Sequence, residues 1–228
     1  MTNQKLNEFE TTKLFYNEYL YKLAIVNPLA CIFRDKNLTY AREQLDILQS
    51  EYELNSKLVF NVPLQKVKLS VEEFVTAKFI LAELSNQTNY KLRIAGLHNV
   101  MSIYSNDKAW IDYLISKPLN ISEVWSPNKF NINLLVKNNI IVKNINFGYS
   151  HKVTLKDKVD QRFYNWLISN SDKVKIGDTC LKSIKNGHYV RGFYFFLKNE
   201  KILSLINLMI CNDIARIDNI VYPVVKDK

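Results

Sequence analysis

Four carboxylates invite a chemical reading first. Asp157 ends the strand-like run YSHKVTLKD and Asp160 follows it, and Asp213 and Asp218 lie near the C-terminal end. Carboxylates gathered on one strand-to-helix turn can hold Mg2+ for phosphodiester cleavage. The commoner use of such residues is helix capping, and Asp157 stands where a cap is expected. His98, His151 and His188 are dispersed, without His or Cys partners at metal-ligand spacing. Cys31, Cys180 and Cys211 are odd in number, far apart and in apolar or helical surroundings, which suits buried thiols in a reducing compartment. Walker, GxGxxG, GxSxG and HExxH patterns are absent, and five Gly in 228 residues are too few for a phosphate cradle. The expectation is a non-enzymatic protein without metal or other cofactor, and a metal-dependent nuclease ranks third among the functions considered.

Charge points to a different chemistry. The net charge is +9, and it is uneven. Residues 1–120 hold 14 Lys plus Arg against 13 Asp plus Glu, whereas residues 121–228 hold 17 against 9. An excess of +8 in the second part is a sign of a surface that faces a polyanion. Lys152, Lys175, Lys182, Lys185 and Arg191 are the candidate phosphate contacts.

The run RGFYFFLK, from Arg191 to Lys198, adds aromatics to this basic stretch. At Arg191, Gly192, Phe193 and Phe195 it resembles the aromatic strand of the RNA-recognition motif, whose outward aromatics stack on bases. Tyr194 departs from that pattern where a small residue is usual, Phe196 where Val is usual, and Lys198 where the last aromatic stands. The resemblance implies that Phe193 and Phe195 share the open face. Strand alternation puts them on one side with Leu197, and Tyr194 and Phe196 on the other. Burial of the Phe193 and Phe195 side against protein is the competing expectation, and the one favoured here.

The elements that would carry these residues occur twice. SIYSNDKAWIDYLI and FFLKNEKILSLINLM each set a strand against a helix across a short polar turn. Placing Asn106 on Asn199 aligns Asp107 with Glu200 and puts Val100 and Ser102 at the positions of Phe193 and Phe195. YLYKLAIVN and YSHKVTLKD match as leading strands, with Lys22 on Lys152 and Leu23 on Val153. Amphipathic helices follow in NLTYAREQLDILQSEYE and DQRFYNWLISN. The first copy carries an added helix opened by a capping box of Ser70 and Glu73. The order strand, helix, two strands, helix, strand predicts an α+β protein of two tandem ferredoxin-like (βαββαβ) modules, an internal duplication. The expected ranges are 1–128 for the first module, 129–147 for a linker with short strands, and 148–228 for the basic second module.

The N-terminal MTNQKLNEFETTK lacks the basic and apolar regions of a secretory signal, and YKLAIVNPLACIF is too short and too polar to span a membrane. Abundant Asn, Lys and Ile, all with AT-rich codons, suggest a phage or another low-GC genome. A cytoplasmic location follows, or that of a viral protein in the host cytoplasm. The expected partner is nucleic acid, RNA or DNA. The alternative is a structural or assembly subunit that docks another protein through the apolar face of the second module.

Overall fold

The computed structural model describes residues 6–62, 65–95, 99–137 and 139–223; His98 lies outside them. The chain forms two compact units, residues 1–11 with 18–128 and residues 12–17 with 129–228. Both mix helices with a five-stranded sheet, an α+β architecture.

The first unit contains β1 (Asn7–Glu10), β2 (Tyr21–Val26), a 3-10 turn (Ala30–Lys36), α1 (Leu38–Asn55), β3 (Val59–Val62), β4 (Gln65–Lys68), α2 (Val71–Ser85), β5 (Tyr90–Ala95), β6 (Val100–Ser105), α3 (Lys108–Ile115) and β7 (Ile121–Ser126). Its sheet runs β1-β7-β2-β6-β5, and β3 and β4 form a separate hairpin. Local chemistry accounts for the helix starts. The Asn37 side chain accepts from the Tyr40 N–H at α1. Ser70 and Glu73 close a full capping box at α2. Each helix then buries one stripe, such as Ala41, Leu45 and Leu48 of α1.

The second unit contains α4 (Ile132–Leu135), β8 (Ile140–Val142), β9 (His151–Leu155), α5 (Gln161–Ser169), β10 (Val174–Ile176), α6 (Asp178–Lys185), β11 (Tyr194–Leu197), α7 (Glu200–Ile210) and β12 (Ile214–Val221). Its sheet runs β8-β12-β9-β11-β10. The strand order therefore repeats that of the first unit, position for position. In each sheet a leading strand, β1 or β8, lies parallel to the last one on the outer edge. The other four strands of each sheet pair antiparallel, with β5 and β10 at the opposite edges. The insertions differ: the first unit adds the β3–β4 hairpin and α2 before β5, and the second adds α6 between β10 and β11.

Register fixes which residues correspond. Leu23 lies opposite Ile103 and Val124, and Val153 lies opposite Phe195 and Ile217. With Leu23 matched to Val153, Phe195 corresponds to Ile103 and Phe196 to Tyr104. The expected match of Phe195 to Ser102 is thus off by one residue, and the helix caps show why. Asp107, not Asn106, caps α3 by accepting from the Trp110 N–H, just as Asn199 accepts from the Ile202 N–H at α7. Asn106 is used elsewhere: its side chain accepts from the Leu20 N–H and donates to the Glu18 carbonyl.

Candidate nucleic-acid interface

On β9 and β11 successive side chains face opposite sides of the sheet. Val153, Leu155, Phe195 and Leu197 point into a core completed by Phe163 and Leu167 of α5, Cys180 and Ile184 of α6, and Ile202, Ile206 and Ile210 of α7. Phe195 is 0% exposed, with its ring 5.7 Å from that of Phe163. Burying a side chain of this size is worth about 1.5–3 kcal/mol. Phe193 is half-buried against the same cluster. Neither ring of this pair is therefore presented as a base-stacking platform. Burial of the Phe193 and Phe195 side against protein, the favoured expectation, is what the structure has, and their alternative placement on an open nucleic-acid-binding face is corrected, because α5, α6 and α7 pack on that side of the sheet.

The opposite face carries the other phase of the same strands. Tyr194 is 45% exposed and Phe196 half-buried. Lys152 on β9 lies directly opposite Phe196, and so does Lys175 on β10. The Lys152 Nζ stands 3.7 Å from the centre of the Tyr194 ring, a cation–π contact. Tyr194 and Phe196 meet edge to face at 5.5 Å, and Phe147 meets Phe196 the same way at 5.1 Å. Tyr149 and Tyr222 extend this aromatic group around Phe147, and the Lys175 Nζ lies 5.8 Å from the Phe147 ring centre. The patch thus interleaves rings with ammonium groups across three strands.

Asp218 on β12 anchors the electrostatics of this face. It is 0% exposed, and its Oδ2 accepts from Lys13 at 2.6 Å and from Arg216 at 3.2 Å. Burial lowers the Lys152 pKa below its ordinary value; Arg216 and Lys143 push the same way, and Asp218 partly offsets them. Burial also lowers Lys13, against the opposing effect of Asp218. Three cations thus gather around one carboxylate, and the excess charge is positive.

The matching face of the first unit is compensated instead. Lys22, at the Lys152 position, donates to Glu123 at 2.6 Å, and the Trp125 indole N–H donates to the same oxygen at 3.0 Å. These two hydrogen bonds hold the Glu123 carboxyl below its ordinary pKa. Phe9 of β1 stacks on Trp125 at 4.6 Å. By register, Arg216 takes the position of Glu123 in the second unit. A base thus stands beside Lys152 where an acid stands beside Lys22.

Of the residues expected to bind, Lys152 and Lys175 come together on the aromatic face. Lys182 and Lys185 are exposed on α6, whose Cys180 and Ile184 pack on the other side of the sheet. Arg191 is exposed in the turn before β11, where Gly192 adopts a φ of +83°. Tyr194, Phe196, Phe147 and Arg216 are the additions. The signal for Tyr194 and Phe196 was the alternation of RGFYFFL, read in the opposite phase; Phe147 and Arg216 join them only through tertiary structure.

The carboxylates divide. Asp160, rather than Asp157, caps α5 by accepting from the Arg162 N–H at 2.6 Å. Burial raises the Asp213 pKa, and the nearby charges of Asp157 and Asp160 add to it. Asp218 belongs to the ion cluster described above. Among the described residues, no group of three or more His, Cys, Asp or Glu is placed to hold a metal ion. Also among these residues, no helix is long and apolar enough to cross a membrane. No protein-family model, curated protein or solved structure matches this chain significantly.

Proposed function

We propose that the chain is a non-enzymatic protein that binds single-stranded nucleic acid on the aromatic, basic face of its second unit. The observation that carries this reading is the interleaving of Tyr194 and Phe196 with Lys152 and Lys175 on the face that α5, α6 and α7 leave uncovered. Rings stack on bases of any sequence, while lysines neutralise the phosphates between them. Lys143 and Arg191 extend the positive field, and Lys182 and Lys185 contribute to long-range attraction from the far side of the sheet.

The fold supports this reading. The orders β7-β2-β6-β5 and β12-β9-β11-β10 support a ferredoxin-like reading of each unit, with β1 or β8 as an added edge strand. Shared register at Lys22 and Lys152 supports an internal duplication in which one copy has kept its charge balanced and the other has not. Fluorescence anisotropy with single-stranded and duplex oligonucleotides at two ionic strengths tests the function. Salt-sensitive binding that favours the single strand is expected, and no binding at low salt refutes it.

A second reading, a structural or assembly subunit, rests on a separate observation. Leu205, Leu208 and Met209 form an exposed apolar group on α7, with Leu208 85% exposed. Light scattering that shows a monomer at all concentrations would count against it.

A further inference from the structure

The chain just before β11 repeats the pairing of a ring with an ammonium group. Tyr189 is 70% exposed, and the Lys158 Nζ stands 4.7 Å from the centre of its ring. The loop that carries this ring is fixed at both ends. Gly187, with a φ of +66°, closes α6 as its N–H donates to the Ile184 carbonyl at 3.1 Å. The Phe193 N–H donates to the Val190 carbonyl at 2.9 Å, closing a turn in which Gly192 takes the positive φ that L side chains avoid. That turn is tied to the end of β9: the Gly192 N–H donates to the Leu155 carbonyl at 3.0 Å, and the Leu155 N–H to the Phe193 carbonyl at 2.8 Å. Val190 is buried in the core on the helical side of the sheet. With Val190 turned inward, Tyr189 beside it is held outward.

Three observations give this loop the character of the face that follows it. The turn ends within about 7 Å of where it starts, so the backbones at Tyr189 and Tyr194, one Cα step beyond on either side, lie no more than about 15 Å apart. About four nucleotides of stacked strand cover that span, at about 3.4 Å each. The way between the rings is open: a methyl group on Gly192 would meet no neighbouring atom within 4 Å, and among the described residues the Arg191 side chain makes no hydrogen bond or ion pair. Charge agrees. From Thr179 to Asn199 the chain has no Asp or Glu, against Lys182, Lys185, Arg191 and Lys198. On the 156–160 turn alongside, Asp157 accepts from the Lys158 N–H and Asp160 pairs with Arg162, so both acids are engaged locally.

We infer that Tyr189 and Lys158 form a second stacking station for the single strand bound at Tyr194 and Phe196, with Arg191 on the phosphates between. This rests on the proposed function and gives the bound strand a direction: off the sheet at the start of β11 and along the loop toward α6. The ring offers a π-face to a base of any kind, and the cations beside it neutralise phosphates, so the station adds affinity without adding sequence preference. An acidic peptide would use the cations but gain little from a ring this exposed.

The test uses the full chain and a ten-nucleotide oligo(dT) at low salt. Tyr189→Ala should weaken binding at least about fivefold with an unchanged melting temperature, and Tyr189→Phe, which keeps the π-face, should bind as the parent does. Arg191→Ala should lower the slope of log affinity against log salt by about 1. Tyr189→Trp gives a direct readout: the fluorescence it adds over the parent should be quenched as the oligonucleotide saturates the protein. Tyr189→Ala that binds as tightly as the parent, or no quenching at saturation, overturns the inference and leaves the reading at Tyr194 standing. A parent that binds no oligonucleotide refutes both. Equal quenching by a poly-glutamate peptide would point to an acidic protein partner and would also overturn the inference.

Discussion

Lys152 stands over the ring of Tyr194, 3.7 Å from its centre, while its counterpart Lys22 is tied to Glu123. One lysine is held by an aromatic ring that a base can extend, and the other by a carboxylate that repels phosphate. The proposed binding to the second unit rests on that contrast, and variants of the two lysines and of Tyr194 test it. Tyr194→Ala should remove about 1–3 kcal/mol of single-strand binding with an unchanged melting temperature, because the ring is substantially exposed. Lys152→Ala should lower the slope of log affinity against log salt by about 1. Lys22→Ala should leave that slope alone.

Phe195 separates packing from binding. Its substitution by Ala should cost about 3–5 kcal/mol of folding stability through lost burial and a cavity beside Phe163. Below the melting point the folded fraction should bind oligonucleotides as the parent does. A melt of Phe195→Ala unchanged from the parent would return this ring to the surface.

The Asp218 cluster predicts strong non-additivity. Lys13→Met leaves the buried carboxylate with Arg216 as its remaining ion-pair partner and should destabilise the fold by about 3 kcal/mol, near the lower end for a broken buried pair. Lys13→Met combined with Asp218→Leu should recover part of that loss, since the buried carboxylate is gone while Arg216 and Lys152 keep their charge. Urea melts of the two single variants and the double variant measure the coupling.

His151 supplies a pH dependence. Burial lowers its pKa below the ordinary 6.5, opposed by the charge of Glu200. A base with a lowered folded pKa binds its proton more readily when unfolded, so stability rises with pH across the window between the two values. Stability should therefore be complete above pH 6.5 and decline as the pH falls through that value toward the folded pKa. Thermal melts between pH 5 and pH 8 should show this decline, and His151→Gln should flatten it.

Much of this was legible in the chain. The leading strands, the amphipathic helices and the Ser70–Glu73 box follow from periodicity and capping chemistry, and the Lys22–Lys152 correspondence followed from pattern alone. The phase of β11 did not, because Phe193 through Leu197 are apolar or aromatic on both sides and alternation cannot tell the core side from the open one. Asn106 misled for a physical reason: a residue suited to capping was taken by a tertiary contact with Glu18 and Leu20, so the cap moved to Asp107. The short polar NEFE of β1 carries no apolar signal, and its strand character comes from pairing with β7. The ion pair of Lys13 with Asp218 spans 205 residues, beyond the reach of any local pattern.

That separation bears on the order in which the chain folds. Residues 12–17 complete the second unit, although they are made before nearly all of the first. Closing a loop of this length from an unfolded chain carries an entropic penalty of about 5 kcal/mol. The parallel pairing of β1 with β7 removes most of it, since the Thr11 N–H donates to the Ser126 carbonyl at 2.9 Å. Once the first unit is formed, the root of the 12–17 segment sits beside the point from which the chain leaves toward residue 129. Lys13 then has a short tether to the strand that awaits it. The N-terminal unit acts as the template that makes a distant contact local, so refolding should proceed through a state in which the first sheet is formed and the second is not.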